Sequence, residues 1–220
     1  MKYLKHAMLG SALAVLGAAQ AGIIVDSFDA PLAGVTKSIS NPPGALTVSD
    51  GPTTGGSILG TRNLSYTITA SGPTVDAVQI NVLPYGSQLV ETADNNGSPD
   101  LVLNYSGLAL DLAGNNTLLL SKYSTDANLE KVQAWFTDGS ANVSSSGWVP
   151  VGANHSGDLA LSLVGLADLS DIVNVRVEFM GDKGADFTLG SIIAAPEPST
   201  YGALTALGLL GTVIWRRARA

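Results

Sequence analysis

The chain lacks cysteine altogether, holds two histidines in 220 residues, and carries charge on only 13% of its side chains. Without cysteine there is no disulfide framework, no thiolate nucleophile and no thiolate-bound metal. Basic residues are scarce, 11 against 18 acidic ones, and unevenly placed. Lys2 and Lys5 stand at the start, and Arg216, Arg217 and Arg219 at the end. Setting these five and Glu197 aside leaves six basic against seventeen acidic residues between, a net charge of −11. A surface of that sign repels a phosphate backbone and no basic stripe interrupts it, so nucleic acid is not an expected partner. Acidity of this kind serves solubility. Aromatic residues make up only 6%, which limits the number of platforms on which a ligand can stack.

What the chain has instead is glycine, 25 residues of it, with Ser, Thr and Asn punctuating runs of Val, Ile and Leu. That mixture suits an all-β domain with many turns. In IVNVRVEFM (172–180), Val173, Val175, Val177 and Phe179 share one face while Asn174, Arg176 and Glu178 share the other. The same alternation aligns Leu159, Leu161 and Leu163; Leu101, Leu103 and Tyr105; and Leu64, Tyr66 and Ile68. Further strand candidates cover 23–28, 75–82, 108–112, 117–123, 131–137 and 186–193. The clusters NPPG (41–44), DNNGSPD (94–100) and GDKG (181–184) separate them as turns, and GLADLSDI (165–172) reads as a turn too. About ten short strands without a helical period predict two antiparallel sheets packed face to face, a jelly-roll-like β-sandwich over 22–194. From a first strand near VDSFD to a closing pair over 173–194, the strand order loosely resembles jelly-roll carbohydrate-binding modules.

The two ends read differently. Residues 1–21 have the three parts of an export signal: positive charge at Lys2 and Lys5, an apolar helix-forming run over 7–18, and small residues Ala19 and Ala21 flanking Gln20. Signal peptidase is expected to cut after Ala21. The apolar run is too short for a hydrocarbon core of ~30 Å at ~1.5 Å per residue. At the other end, 201–215 carry no charge, with Tyr201 and Trp215 at the two edges and Arg216, Arg217 and Arg219 just beyond. Interfacial rings and a following cationic cluster predict a single transmembrane helix with its C-terminal end on the cytoplasmic side. Pro196 and Pro198 hold Glu197 in an extended stretch that no helix absorbs.

PEPST at 196–200, the apolar run and RRAR at 216–219 together resemble the PEP-CTERM sorting signal of Gram-negative bacteria, over residues 195–220. The resemblance implies that an exosortase in the inner membrane recognises Pro196, Glu197 and Pro198 and removes the tail. It also implies an exported protein of the cell surface or extracellular matrix, associated with exopolysaccharide and biofilm and first held in the inner membrane. The exported domains of that family are diverse, so the tail says nothing of what this domain does.

Chemistry within the domain is sparse. His155 is its single histidine and lies in the polar stretch GANHSGD, the setting of an exposed loop residue. No G-x-S-x-G elbow is present, and Glu91, Glu130 and Glu178 show no convergent spacing. A non-enzymatic protein is the expectation, with a hydrolase as the third reading. No cofactor is expected. Asp94, Asn95, Asn96 and Asp100 are oxygen ligands of the type calcium takes, but the full calcium-loop pattern is missing and the same residues suit any turn. A carbohydrate-binding module for exopolysaccharide is the alternative reading of the domain. Its candidate platforms are Trp135, which alternates with Val132, Ala134 and Phe136, and Trp148 in SSGWVP.

Overall fold

Alternating side chains in the sequence become alternating burial in space. The structure is a computed structural model that describes residues 22–29, 37–40, 44–50, 59–68, 75–81, 88–92, 98–113, 115–126 and 130–195. The expected signal segment 1–21, the tail from Pro196 onward, and Asp94, Asn95 and Asn96 lie outside these residues. The described residues form sixteen strands and no helix, numbered along the chain. None of them therefore belongs to a helix long and apolar enough to cross a membrane.

One sheet runs in the order β1 (Ile23–Asp26), β16 (Ser191–Ala195), β8 (Thr117–Thr125), β15 (Phe187–Leu189), β6 (Gln88–Thr92), β5 (Val75–Asn81) and β2 (Lys37–Ser40). β12 (Ser156–Ser162) also pairs with β8. The second sheet runs β13 (Val164–Gly165), β10 (Val143–Ser145), β9 (Glu130–Asp138), β14 (Ile172–Gly181), β7 (Pro99–Leu110), β4 (Thr61–Ile68) and β3 (Gly44–Asp50). β11 (Val149–Val151) joins β9 beside β10. The pairings are antiparallel, and the chain changes sheet repeatedly, as from β6 to β7, β7 to β8 and β8 to β9.

One hydrophobic core lies between the sheets. Leu64, Tyr66 and Ile68 of β4, Leu101, Leu103 and Tyr105 of β7, Val132, Ala134 and Phe136 of β9 and Val175, Val177 and Phe179 of β14 face it from one side. Leu89, Leu118, Leu120, Tyr123, Phe187, Leu189 and Ile192 face it from the other. Phe179 and Phe187, from opposite sheets, stack with ring centres 4.6 Å apart. Each fully buried Leu, Val or Phe contributes roughly 1.5–3 kcal/mol, which is how a chain without disulfides holds two sheets together. In β14 a bulge between Ile172 and Asn174 turns Ile172 inward and leaves Val173 half-buried, so the expected alternation starts two residues later.

The core also encloses charge. Tyr66 donates to Glu91 Oε1 at 2.5 Å, Tyr105 donates to Asp26 Oδ2 at 2.9 Å, and Tyr123 donates to Glu130 Oε2. Each bond joins one sheet to the other. Asp26 also pairs with Arg62 Nη1 at 2.9 Å and accepts from the Phe28 backbone N–H at 2.7 Å. Asp26 and Arg62 are both fully buried, an arrangement that persists only when each charge has its partner.

Candidate functional site

On the second sheet, the residues that alternate with the core form an outer face. Register builds it row by row. Asn63 of β4 lies opposite Asn104 of β7, which lies opposite Arg176 of β14, which lies opposite Trp135 of β9, which lies opposite Ser145 of β10. The next row holds Ser65, Val102, Glu178 and Gln133. A third holds Thr67, Asp100, Met180 and Lys131. Residues directly across a ladder point to the same side, so amides, hydroxyls and charges are laid out as a grid around the tryptophan.

Trp148 joins this face through a short loop. β10 and β11 pair with the two halves of the same edge of β9, and residues 146–148 bridge them. The loop is pinned: Ser146 N–H donates to the Ala134 carbonyl at 3.0 Å, Ala134 N–H donates to Ser146 Oγ at 3.0 Å, and Gly147 N–H donates to Ser145 Oγ at 3.1 Å. Gly147 sits at φ 62°, a left-handed conformation that favours glycine. Gln133 Nε2 donates to Ser145 Oγ at 2.9 Å and ties the loop to the grid. Trp148 is thereby held in place while 40% of its surface stays exposed.

Each ring has a cation beside it. The Arg176 guanidinium lies 4.8 Å from the Trp135 ring centre, and Lys131 Nζ lies 5.0 Å from that of Trp148. Arg176 also donates to Glu178 Oε2 at 2.6 Å. Asn174 Nδ2 donates to Asn104 Oδ1 at 3.0 Å. Of the five large hydrophobic residues that stand exposed among those described, four gather at this side of the sheet: Trp148, Val143 (45%), Val164 (81%) and Leu166 (83%). Val164 lies opposite Ser145, and Val143 lies opposite Thr137, so the apolar strip borders Trp135. The result is an apolar border, two aromatic platforms and a hydrogen-bonding grid on one surface.

The other residues singled out from sequence fall elsewhere or have other work. Asp100, the one candidate calcium ligand within the described residues, belongs to the outer face of β7. Burial raises its pKa, the Glu178 charge adds to the rise, and Arg176 opposes it. Among the described residues no group of three or more His, Asp or Glu is arranged to hold a metal ion. Glu91 and Glu130 do not line a cleft: both lie inside the core, bonded to Tyr66 and Tyr123. His155 departs from the expected exposed position. Its carbonyl accepts from Thr125 N–H at 3.0 Å, its ring packs 5.7 Å from that of Tyr123, and Nε2 is buried without a partner. Sequence alternation placed Trp135 on the outside. Nothing in the sequence reveals Arg176 across from it or Lys131 over Trp148, because both depend on cross-strand register and on the pinned loop.

Neither a protein-family model nor a curated protein matches the chain. Among solved structures it is similar to a family 11 carbohydrate-binding module of the cellulosomal cellulase Lic26A-Cel5E of Clostridium thermocellum, with 11% identity and a TM-score of 0.38, over 80% of this chain and 95% of that one. It is similar as well to the module CsCBM6-3 of Clostridium stercorarium, in complex with cellobiose, with 16% identity and a TM-score of 0.37 over 59% of this chain and 87% of the other. The agarase AgWH50C matches at 8% identity and a TM-score of 0.37, over 59% of this chain and 22% of the agarase.

Proposed function

We propose that the domain is a non-enzymatic binding module that lays a polysaccharide along the outer face of β9, β14 and β7. The observation that carries this reading is the grouping of Trp135, Trp148 and the exposed Val143, Val164 and Leu166 beside a grid of Asn63, Asn104, Asn174, Gln133 and Arg176. A sugar ring has an apolar C–H face that stacks on an indole and a rim of hydroxyls that needs donors and acceptors. Both demands are met on one surface. Along β9, Lys131, whose ammonium lies over Trp148, and Trp135 are four residues apart, ~13 Å at ~3.3 Å per residue. A linear chain can engage both platforms, whereas a single sugar cannot. The test is binding of the full-length exported protein to a panel of polysaccharides. Trp148→Ala and Trp135→Ala should each weaken binding by roughly tenfold or more, with folding unchanged; an intact protein that binds none of the panel contradicts the reading.

The delivery route is the second part of the proposal: an exported protein, held in the inner membrane and then released by an exosortase to the surface or matrix, where exopolysaccharide is found. The sequence of residues 195–220 supports it. A structural feature is compatible with it: β1 begins beside the end of β16, with Ile23 opposite Ala194. The repeated sheet changes fit a jelly-roll connection. Intact-mass measurement of the secreted form should find residues 1–21 and the segment after about Thr200 gone; retention of Arg216–Ala220 contradicts sorting.

A further inference from the structure

We infer that the polysaccharide this face accepts is anionic. This rests on the reading of the face as a polysaccharide site and concerns what that site selects. The region between the terminal segments has six basic residues in all. One of them, Arg62, is buried against Asp26. Two others, Lys131 and Arg176, stand on this face, and both are placed at its tryptophan rings, at 5.0 Å and 4.8 Å. Arg176 already shares its charge with Glu178. Lys131 is exposed and has no ion-pair partner among the described residues.

A neutral sugar stacked on Trp148 gains little from an ammonium held against the ring, and must compete with it for the ring face. An acidic sugar uses both groups at once. Its C–H face meets the indole, and its anionic group replaces the ring as partner of the ammonium, a charge-assisted bond roughly twice as strong as a neutral one. The strongly acidic remainder of the domain does not forbid this. At physiological ionic strength charges more than ~8 Å away are largely screened, so the groups at the contact set the local field: Glu178 is paired with Arg176, Asp100 lies two strands away from Lys131, and Lys131 has no ion-pair partner among the described residues. Arg176 is the second cation there, with its guanidinium half neutralised by Glu178. The carboxylate of a uronic acid and the sulfate of a sulfated sugar share the required charge, and the test separates them.

The experiment compares the full-length exported protein on polygalacturonate, alginate, fully methyl-esterified polygalacturonate and dextran sulfate, with Lys131→Gln and Trp148→Ala alongside. Anionic selection predicts that polygalacturonate or alginate, or dextran sulfate if the group is a sulfate, binds several-fold tighter than the ester. Lys131→Gln should weaken the acidic polymer roughly threefold to tenfold while leaving ester binding unchanged, and Trp148→Ala should weaken both. Equal binding of acid and ester, unmoved by Lys131→Gln but lost in Trp148→Ala, overturns the charge inference and leaves the polysaccharide site standing. Absence of binding to every polymer, neutral or acidic, overturns both.

Discussion

Inside the sandwich Tyr66, Tyr105 and Tyr123 each give a hydrogen bond to a carboxylate of the facing sheet, while on the outer face Trp135 and Trp148 each lie against a cation. The two arrangements use aromatic residues for opposite purposes. A buried tyrosine delivers its hydroxyl to a charge that water cannot reach, which fixes how the two sheets sit on one another. An exposed tryptophan presents a ring face, and a nearby cation leaves a charge available to whatever lands there. The interior pairs are closed; of the outer tryptophans, Trp148 is exposed and Trp135 half-buried. Stability should therefore reside in the first set and binding in the second, and the two should separate under mutation.

The largest effect is expected where the interior is most heavily charged. Arg62→Ala leaves Asp26 buried without its cation and should cost about 3–5 kcal/mol, read as a lower urea midpoint with any binding to polysaccharide retained by the folded fraction. A small shift would mean that Asp26 is solvated or neutral and that the two sheets are not tied there.

The next effect is a pH dependence. Burial pushes the Glu130 carboxyl up to about 7; the bond from Tyr123 works the other way, and the negative charges of Asp126 and Asp186 add to the rise. The ordinary value, 4.5, applies once the chain unfolds. Between about 4.5 and about 7 the folded state thus holds a proton that the unfolded state has lost, so the stability from this group is fully present below the window and is lost as pH rises through it. The loss is on the order of 3 kcal/mol across the window. Urea midpoints measured from pH 4.5 to 7.5 should fall, and Glu130→Gln should flatten that part of the slope. An unchanged slope in the variant would remove Glu130 from the account.

The smallest effect on stability is expected outside. Trp148→Ala removes a ring that is 40% exposed and tied to the protein by a loop whose own bonds are backbone and serine bonds. Its cost should be about 0.5 kcal/mol or less. A much larger cost would make Trp148 a structural residue and blur the contrast between the two regions.

Much of the core was legible beforehand because period 2 is unambiguous where one face is buried. Leu64, Tyr66 and Ile68, and Leu101, Leu103 and Tyr105, fall inside as the alternation requires. Short polar strands were not legible: KSIS of β2 and QLVET of β6 carry too few apolar residues to show a pattern, and their place is set by backbone pairing with neighbours. The segment 186–193, read as one strand, is two, because Gly190 breaks the run and donates to the Ser121 carbonyl at 2.9 Å. Trp135 was legible as an outward residue from Val132, Ala134 and Phe136. Its pairing with Arg176 was not, since 41 residues separate them in sequence and only the β9–β14 register brings them together. The tyrosine–carboxylate bonds hid for the same reason: each links strands of different sheets.

The decisive measurement is a titration of the protein, wild type against Trp135→Ala and Trp148→Ala, with the panel of acidic and neutral polysaccharides, on samples matched for their urea midpoints. Saturable binding by the wild type is expected, falling roughly tenfold or more in each variant while the midpoint stays put. Wild-type binding that survives both substitutions unchanged would place the ligand elsewhere on the molecule and contradict the account.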